Sequence, residues 1–295
     1  MSAYLLLRQW IEARLDIRSR TWWKDVLREI GDGVSPSGFG ALFSLASRHA
    51  RPVPLGLGEA ELRSAAQGLE GWRPERWDLL EAVRVALLLS RDDLAEESGA
   101  LVVEGLFRYA DEGETRALLR SLAFLPGPER FLPRARRGCR SNMRSVFEAA
   151  ALDTPYPLLN FDPVAWNQAV IKCLFVEAPL WRMHGLDRRL SPELARMALD
   201  LADERRSAGR KVYPELWLCL GEHGGKRGLE ALEGELRPEN PHTLGRRAAA
   251  YGLARAGARE RLGVLRESEA DLLVRGSIED ALEGHTSQDL FRTLD

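Results

Sequence analysis

β-Branched residues are scarce in this chain. Its 295 residues include five Ile and six Thr, against a large excess of Leu, Ala, Arg and Glu. Strands favour the first group and helices the second, so this usage argues for helices and against a sheet. Cysteine is equally sparse. Cys139, Cys173 and Cys219 are odd in number and far apart, with no C-x-x-C pair. That spacing supports neither a zinc site nor a disulfide framework, and reduced thiols are expected. Neither charge predominates, since 42 basic residues face 44 acidic ones. A general nucleic-acid binder, which needs a positive excess or a basic face, is not indicated. Long hydrophobic runs are also missing. The apolar run near the N-terminus stops at Arg8, too short for a secretory segment or a membrane span. The expected location is cytoplasmic. Peripheral attachment at the inner face of the membrane stays open, although no basic amphipathic helix is evident.

Familiar catalytic signatures are absent too. The glycine clusters Gly56-Leu57-Gly58 and Gly224-Gly225-Lys226 lack P-loop spacing. No H-E-x-x-H occurs, and the five histidines are scattered. Gly33-Val34-Ser35-Pro36-Ser37 misses the second glycine of a nucleophile elbow by one residue and has no strand before it. No catalytic residue, metal or cofactor is therefore assigned.

Helical periodicity fills the chain. Leu5, Leu6, Ile11 and Leu15, then Trp22, Trp23, Val26 and Ile30, predict an opening helix or helix pair that Gly31-Asp32-Gly33 ends. Further helices are expected over 39–47, 59–69, 74–89, 92–109 and 114–122, with Pro126-Gly127-Pro128 as a stop. Ser191-Pro192-Glu193 is a strong helix start, with a capping hydroxyl, a proline at the first helical position and an acid in the first turn. Shorter helices follow around Leu216 and over 229–236, 244–253 and 262–265. The expected fold is all-α over a single domain spanning 1–295. It is read as an irregular HEAT-like helical array, with a compact all-α bundle as the competing topology, because no strict period is present.

Residues 140–217 concentrate aromatic, proline and amide residues. Asp162 and Pro163 start a helix running to about Val176 that is apolar almost all round, a pattern expected of a helix buried on every side. Its interior polar side chains are Asn167, Gln168 and Lys172, with Gln168 and Lys172 four apart on one face. A buried ammonium needs an anion or a shifted pKa. Two readings follow: a structural ion pair with Glu148, Glu204 or a carbonyl, or a cavity that takes a polar or anionic group of a small molecule. Trp166 would line its apolar part. Asn142, Glu148, Glu204 and Arg205 are the candidate neighbours. Arg136, Arg140 and Arg144 would share a face only on an unbroken helix, and Gly138 and Ser141-Asn142 argue for a break.

The same segment resembles the EboA family. The resemblance lies in Ser141-Asn142-Met143-Arg144-Ser145-Val146-Phe147-Glu148-Ala149, in Asp153-Thr154-Pro155-Tyr156-Pro157, and in Ala165-Trp166-Asn167-Gln168 through Lys172 and Phe175. It continues in Pro179-Leu180-Trp181, Gly185-Leu186-Asp187, Ser191 to Met197 and Pro214-Glu215-Leu216-Trp217. Upstream, Ala110-Asp111-Glu112 and Leu125-Pro126 are also similar. It is densest over about 105–217 and thins before Trp72 and after Glu222. Arg140-Ser141-Asn142 replaces the usual arginine-threonine-asparagine, keeping the hydroxyl and the amide. The resemblance implies a bacterial protein of secondary metabolism, made alongside a UbiA-like membrane prenyltransferase and concerned with traffic of a small metabolite. It supplies no catalytic residues. Three readings stay open: a binding or scaffold protein for a small hydrophobic metabolite, partnered by that prenyltransferase or other proteins of the pathway; an enzyme with Lys172 as base or Schiff-base amine; and a helical protein–protein adaptor.

Overall fold

The computed structural model describes residues 2–294, and no β-strand occurs among them. The fold is all-α, as the composition requires. The chain divides into two compact units, residues 1–162 and 163–295.

The first unit opens with two helices, α1 (Ala3–Arg14) and α2 (Ile17–Gly31), capped by Ser2 and Asp16. Gly33, with φ of 95°, takes the left-handed conformation that closes this segment. Next come α3 (Pro36–Leu45), α4 (Glu59–Gly68), α5 (Leu79–Leu89), α6 (Glu97–Tyr109) and α7 (Glu112–Ser121). The unit ends with α8 (Leu132–Cys139), α9 (Arg144–Ala151) and the short α10 (Tyr156–Asn160). The expected helix over 74–89 is instead a 3-10 turn (Pro74–Arg76) followed by α5, because Asp78 caps a new helix and receives the Glu81 amide at 2.7 Å. The break expected between the arginines is present. Arg136 bonds Asp162 at 2.6 Å and Arg144 bonds Glu148 at 2.8 Å, so they do not form a shared anion site.

Helix α5 is the centre of this unit. Every residue from Leu79 to Leu88 is buried, including Glu81 and Arg84. Its partner α7 runs alongside and answers both charges. Glu81 accepts from Arg116 at 2.7 Å and Arg120 at 3.2 Å, and Arg84 pairs with Glu114 at 3.4 Å. Buried ions of this kind persist only when matched. Beside them Trp10, Trp72, Trp77 and Phe124 form an aromatic cluster with centroid separations of 4.9–6.3 Å.

The second unit comprises α11 (Pro163–Phe175), α12 (Pro192–Ser207), α13 (Gly225–Leu236), α14 (Thr243–Arg255), α15 (Arg259–Ser268) and α16 (Leu272–Leu282), joined by 3-10 turns. Ser191 caps α12 as expected, receiving the Leu194 amide at 3.1 Å. Helix α14 is the buried one here. Its small residues Ala248, Ala249, Ala250 and Gly252 allow close approach by α13, α16 and the 3-10 turn over Pro214–Cys219. A Cβ at Gly252 would lie 2.5 Å from Leu232 Cδ2, so any larger residue there requires the Leu232 side chain to shift. Helix α16 and the 3-10 segment Gln288–Leu294 had no counterpart in the sequence reading.

Candidate functional site

Helix α11 differs from expectation. Val164 and Phe175 are 66% and 65% exposed, and Gln168, on the stripe between them, is exposed as well. The helix therefore has a solvent face made of mixed residues rather than burial on all sides. Lys172 lies on this face, half-buried, with its ammonium 5.0 Å from the Phe175 ring centroid. Asn167 and Trp166 are on the opposite, buried side, and Trp166 packs beneath the Arg189 guanidinium at 4.8 Å. The three polar residues of α11 thus divide between two faces. Glu204 is exposed on the last turns of α12. Arg205 beside it donates to the Lys211 carbonyl at 2.7 Å and to Glu177 at 3.3 Å. In the first unit, Asn142 sits exposed in the turn before α9, and Glu148 accepts from Arg144.

All three cysteines are buried. Burial pushes the Cys139 thiol up to about 12 and raises Cys219 further, so neither supplies thiolate at neutral pH. Asp280, Glu283 and His285 at the end of α16 bring possible ligand atoms within 4.8 Å of one another. All three are exposed, and Asp280 already accepts the Tyr251 hydroxyl at 3.2 Å, so no ion is assigned there.

A more specific arrangement lies in the first unit, between α3 and α6. Ser35 and Pro36 set the start of α3, with the Ser35 hydroxyl accepting the Gly38 amide at 3.1 Å. From there α3 presents Pro36, Ser37, Gly40, Ala41 and Ser44, and α6 presents Leu101, Val102, Gly105, Leu106 and Tyr109. Apart from Phe43, which also lines the cleft from α3, both sets follow the i, i+1, i+4, i+5, i+8 spacing of one helix face. Each has a glycine at its centre. A Cβ added at Gly105 would meet nothing within 4 Å, and one at Gly40 would only touch Leu106 at 3.9 Å. The missing side chains leave a largely apolar cleft of about 500 Å³. This size and lining are those of small-molecule sites.

One end of the cleft is polar. Glu114, only 8% exposed, enters from the first turn of α7 and lines it. Its position is fixed by a reciprocal cap with Asp111. The Glu114 amide donates to Asp111 Oδ1 at 2.7 Å, and the Asp111 amide donates to Glu114 Oε2 at 3.1 Å. The other carboxylate oxygen accepts the Ser44 hydroxyl at 2.6 Å and Arg84 Nη2 at 3.4 Å. Arg84, 3% exposed, stands behind Glu114 and also donates through Nε to the Phe43 carbonyl at 3.4 Å. Pro36 and Ser37 drew notice in the sequence only within an incomplete nucleophile elbow, and no cleft residue was picked as a ligand contact. The one local signal was the D-x-x-E cap of Asp111 and Glu114.

The second unit holds a larger but different cleft, about 800 Å³, lined by Asp187, Arg188, His223, Arg255, His285 and neighbours. Arg255 within it is already engaged. Arg255 donates to Asp187 at 2.6 Å, to the Thr286 carbonyl at 2.6 Å and to the Leu218 carbonyl at 3.3 Å.

The family model described as metabolite traffic protein EboA matches residues 3–221. The chain belongs to the EboA family. The match reaches well before Trp72, where the motif resemblance thins, and takes in every residue of the α3/α6 cleft. The EboA-like stretch ends at residue 221, whereas the polar cleft of the second unit draws on Arg255 and His285 beyond it. No curated protein and no solved structure matches this chain. No helix among the described residues is long and apolar enough to cross a membrane.

Proposed function

We propose that this EboA-family protein is a binding protein for a small hydrophobic metabolite, and that the α3/α6 cleft is where the metabolite is held. The observation carrying this reading is the pair of facing helix stripes, each with a glycine at its centre, that leave an apolar space closed at one end by a buried carboxylate. Glycine inside a helix costs about 1 kcal/mol relative to alanine. Two of them around one space are accounted for if the space is used. The apolar walls suit an aromatic or prenylated body, and the membrane prenyltransferase that the EboA resemblance implies is the partner proposed to supply or receive it. Under this reading the α11 residues Asn167, Gln168 and Lys172 are outside the binding site, since none of them lines the cleft.

Binding of the fluorescent probe N-phenyl-1-naphthylamine tests the proposal. The wild-type protein should enhance its emission saturably. Gly105→Leu, which places a side chain in the open space, should abolish the enhancement while far-ultraviolet circular dichroism stays unchanged. Lys172→Met should leave it intact. Equal enhancement by wild type and Gly105→Leu would remove the cleft from consideration.

A further inference from the structure

The inner part of the polar end, formed by Glu114 and Ser44, offers acceptors, and the Tyr109 hydroxyl, on a residue 83% exposed, is the donor group at its outer edge. Glu114, when ionised, has only acceptor sites, about four in number, of which the Ser44, Arg84 and Asp111 donors occupy three. The single proton of the Ser44 hydroxyl is committed to Glu114 at 2.6 Å, so its oxygen has only lone pairs left to give. Ser44 remains solvent-accessible, as a group that meets a ligand must. Ser44 and Tyr109 lie in the last turns of α3 and α6 while Glu114 lies in the first turn of α7, so helix dipoles of opposite sign meet here and the side chains set the character of this end. Arg84 does not turn this end cationic. It sits behind the carboxylate, does not line the cleft, and matches the charge of Glu114, leaving the end close to neutral.

We infer that the ligand is an uncharged molecule with an apolar body and a hydroxyl end, an alcohol or phenol, whose single O–H proton is donated to the Glu114–Ser44 acceptor pair. A carboxylate or phosphate beside Glu114 and Ser44 would face acceptors whose donors are already committed, which costs each side its hydrogen bonds there. A site built to receive a hydroxyl discriminates strongly against analogues that leave its buried polar groups unpaired. This inference rests on the α3/α6 cleft being the binding site, and the experiment separates the two.

Three probes share one rigid apolar body and differ at the polar end: 2-naphthol, 2-naphthoate and 2-naphthyl phosphate. Their affinities are measured at neutral pH by isothermal titration calorimetry on the full chain, with Gly105→Leu, Ser44→Ala and Glu114→Gln alongside. The expected result is binding of 2-naphthol at least ten-fold tighter than either anion, lost in Gly105→Leu and weakened several-fold in Ser44→Ala. Glu114→Gln, which adds a donor, should narrow the preference over naphthoate. Ser44→Ala keeps the test open should Glu114→Gln fold poorly with Arg84 left unmatched. Equal affinity for all three probes, abolished by Gly105→Leu, would overturn the hydroxyl preference and leave the cleft as the site. No binding, or binding indifferent to Gly105→Leu, would overturn the cleft and the preference together.

Discussion

The two units carry clefts that differ in kind. The one in the second unit is the larger, about 800 Å³ against about 500 Å³, yet its lining is charged and Arg255 is spent on Asp187 and two carbonyls. The α3/α6 cleft of the first unit is smaller and mostly apolar, with glycine where a side chain would fill it and one buried carboxylate at its end, unlike the charged cleft of about 570 Å³ beside Arg14 and Arg48 in the same unit. Size alone does not mark a binding site. What separates the two is the lining: charged side chains surround the second-unit cleft, whereas apolar helix stripes with unfilled glycine positions surround the α3/α6 cleft.

The largest expected difference concerns the ion pairs. Glu114→Ala strands Arg84 in a buried setting, and a loss of about 3–5 kcal/mol is expected in chemical denaturation. Arg255→Ala should cost less, about 1–2 kcal/mol, because Asp187 is 38% exposed and returns to water. Equal losses would erase the contrast between the two clefts. Gly105→Ala should stabilise the protein by about 0.5–1 kcal/mol, since the new methyl meets no atom and helix propensity improves. A loss there would show that the space is not open.

The smallest effect is a pH dependence within the first unit. Burial, followed by the neighbouring Glu81 carboxylate, holds the Asp78 pKa above the usual aspartate value. The folded state therefore prefers Asp78 protonated. Its contribution to stability is most favourable below the usual aspartate pKa and declines as pH rises through the raised value. Asp78→Asn keeps an oxygen for the Glu81 amide and removes the charge. The stability of this variant relative to wild type should rise between pH 3 and pH 7, and a flat difference would contradict the assignment.

Much of the fold was legible from punctuation. Ser191-Pro192-Glu193 and Gly31-Asp32-Gly33 mark real helix ends because caps and left-handed glycines act locally. The cleft was not legible. Ser44 and Glu114 are seventy residues apart and meet only through packing of α3, α5 and α7. Gly40 and Gly105 read as weak points in two helices until the helices face each other. Helix α11 shows the converse error. Its apolar composition suggested complete burial, yet Val164 and Phe175 face solvent, since composition ranks tendencies and does not place side chains. Lys172 was conspicuous because of the residues around it in sequence, and those neighbours turned out to be partly outside.

The most direct test maps contacts by methyl nuclear magnetic resonance on protein labelled at Leu and Val, titrated with 2-naphthol. Shifts confined to Leu101, Val102 and Leu106, with Leu190 and Leu290 of the second-unit cleft unmoved, are the predicted result. Shifts at Leu190 and Leu290 with none on α6 would contradict the account.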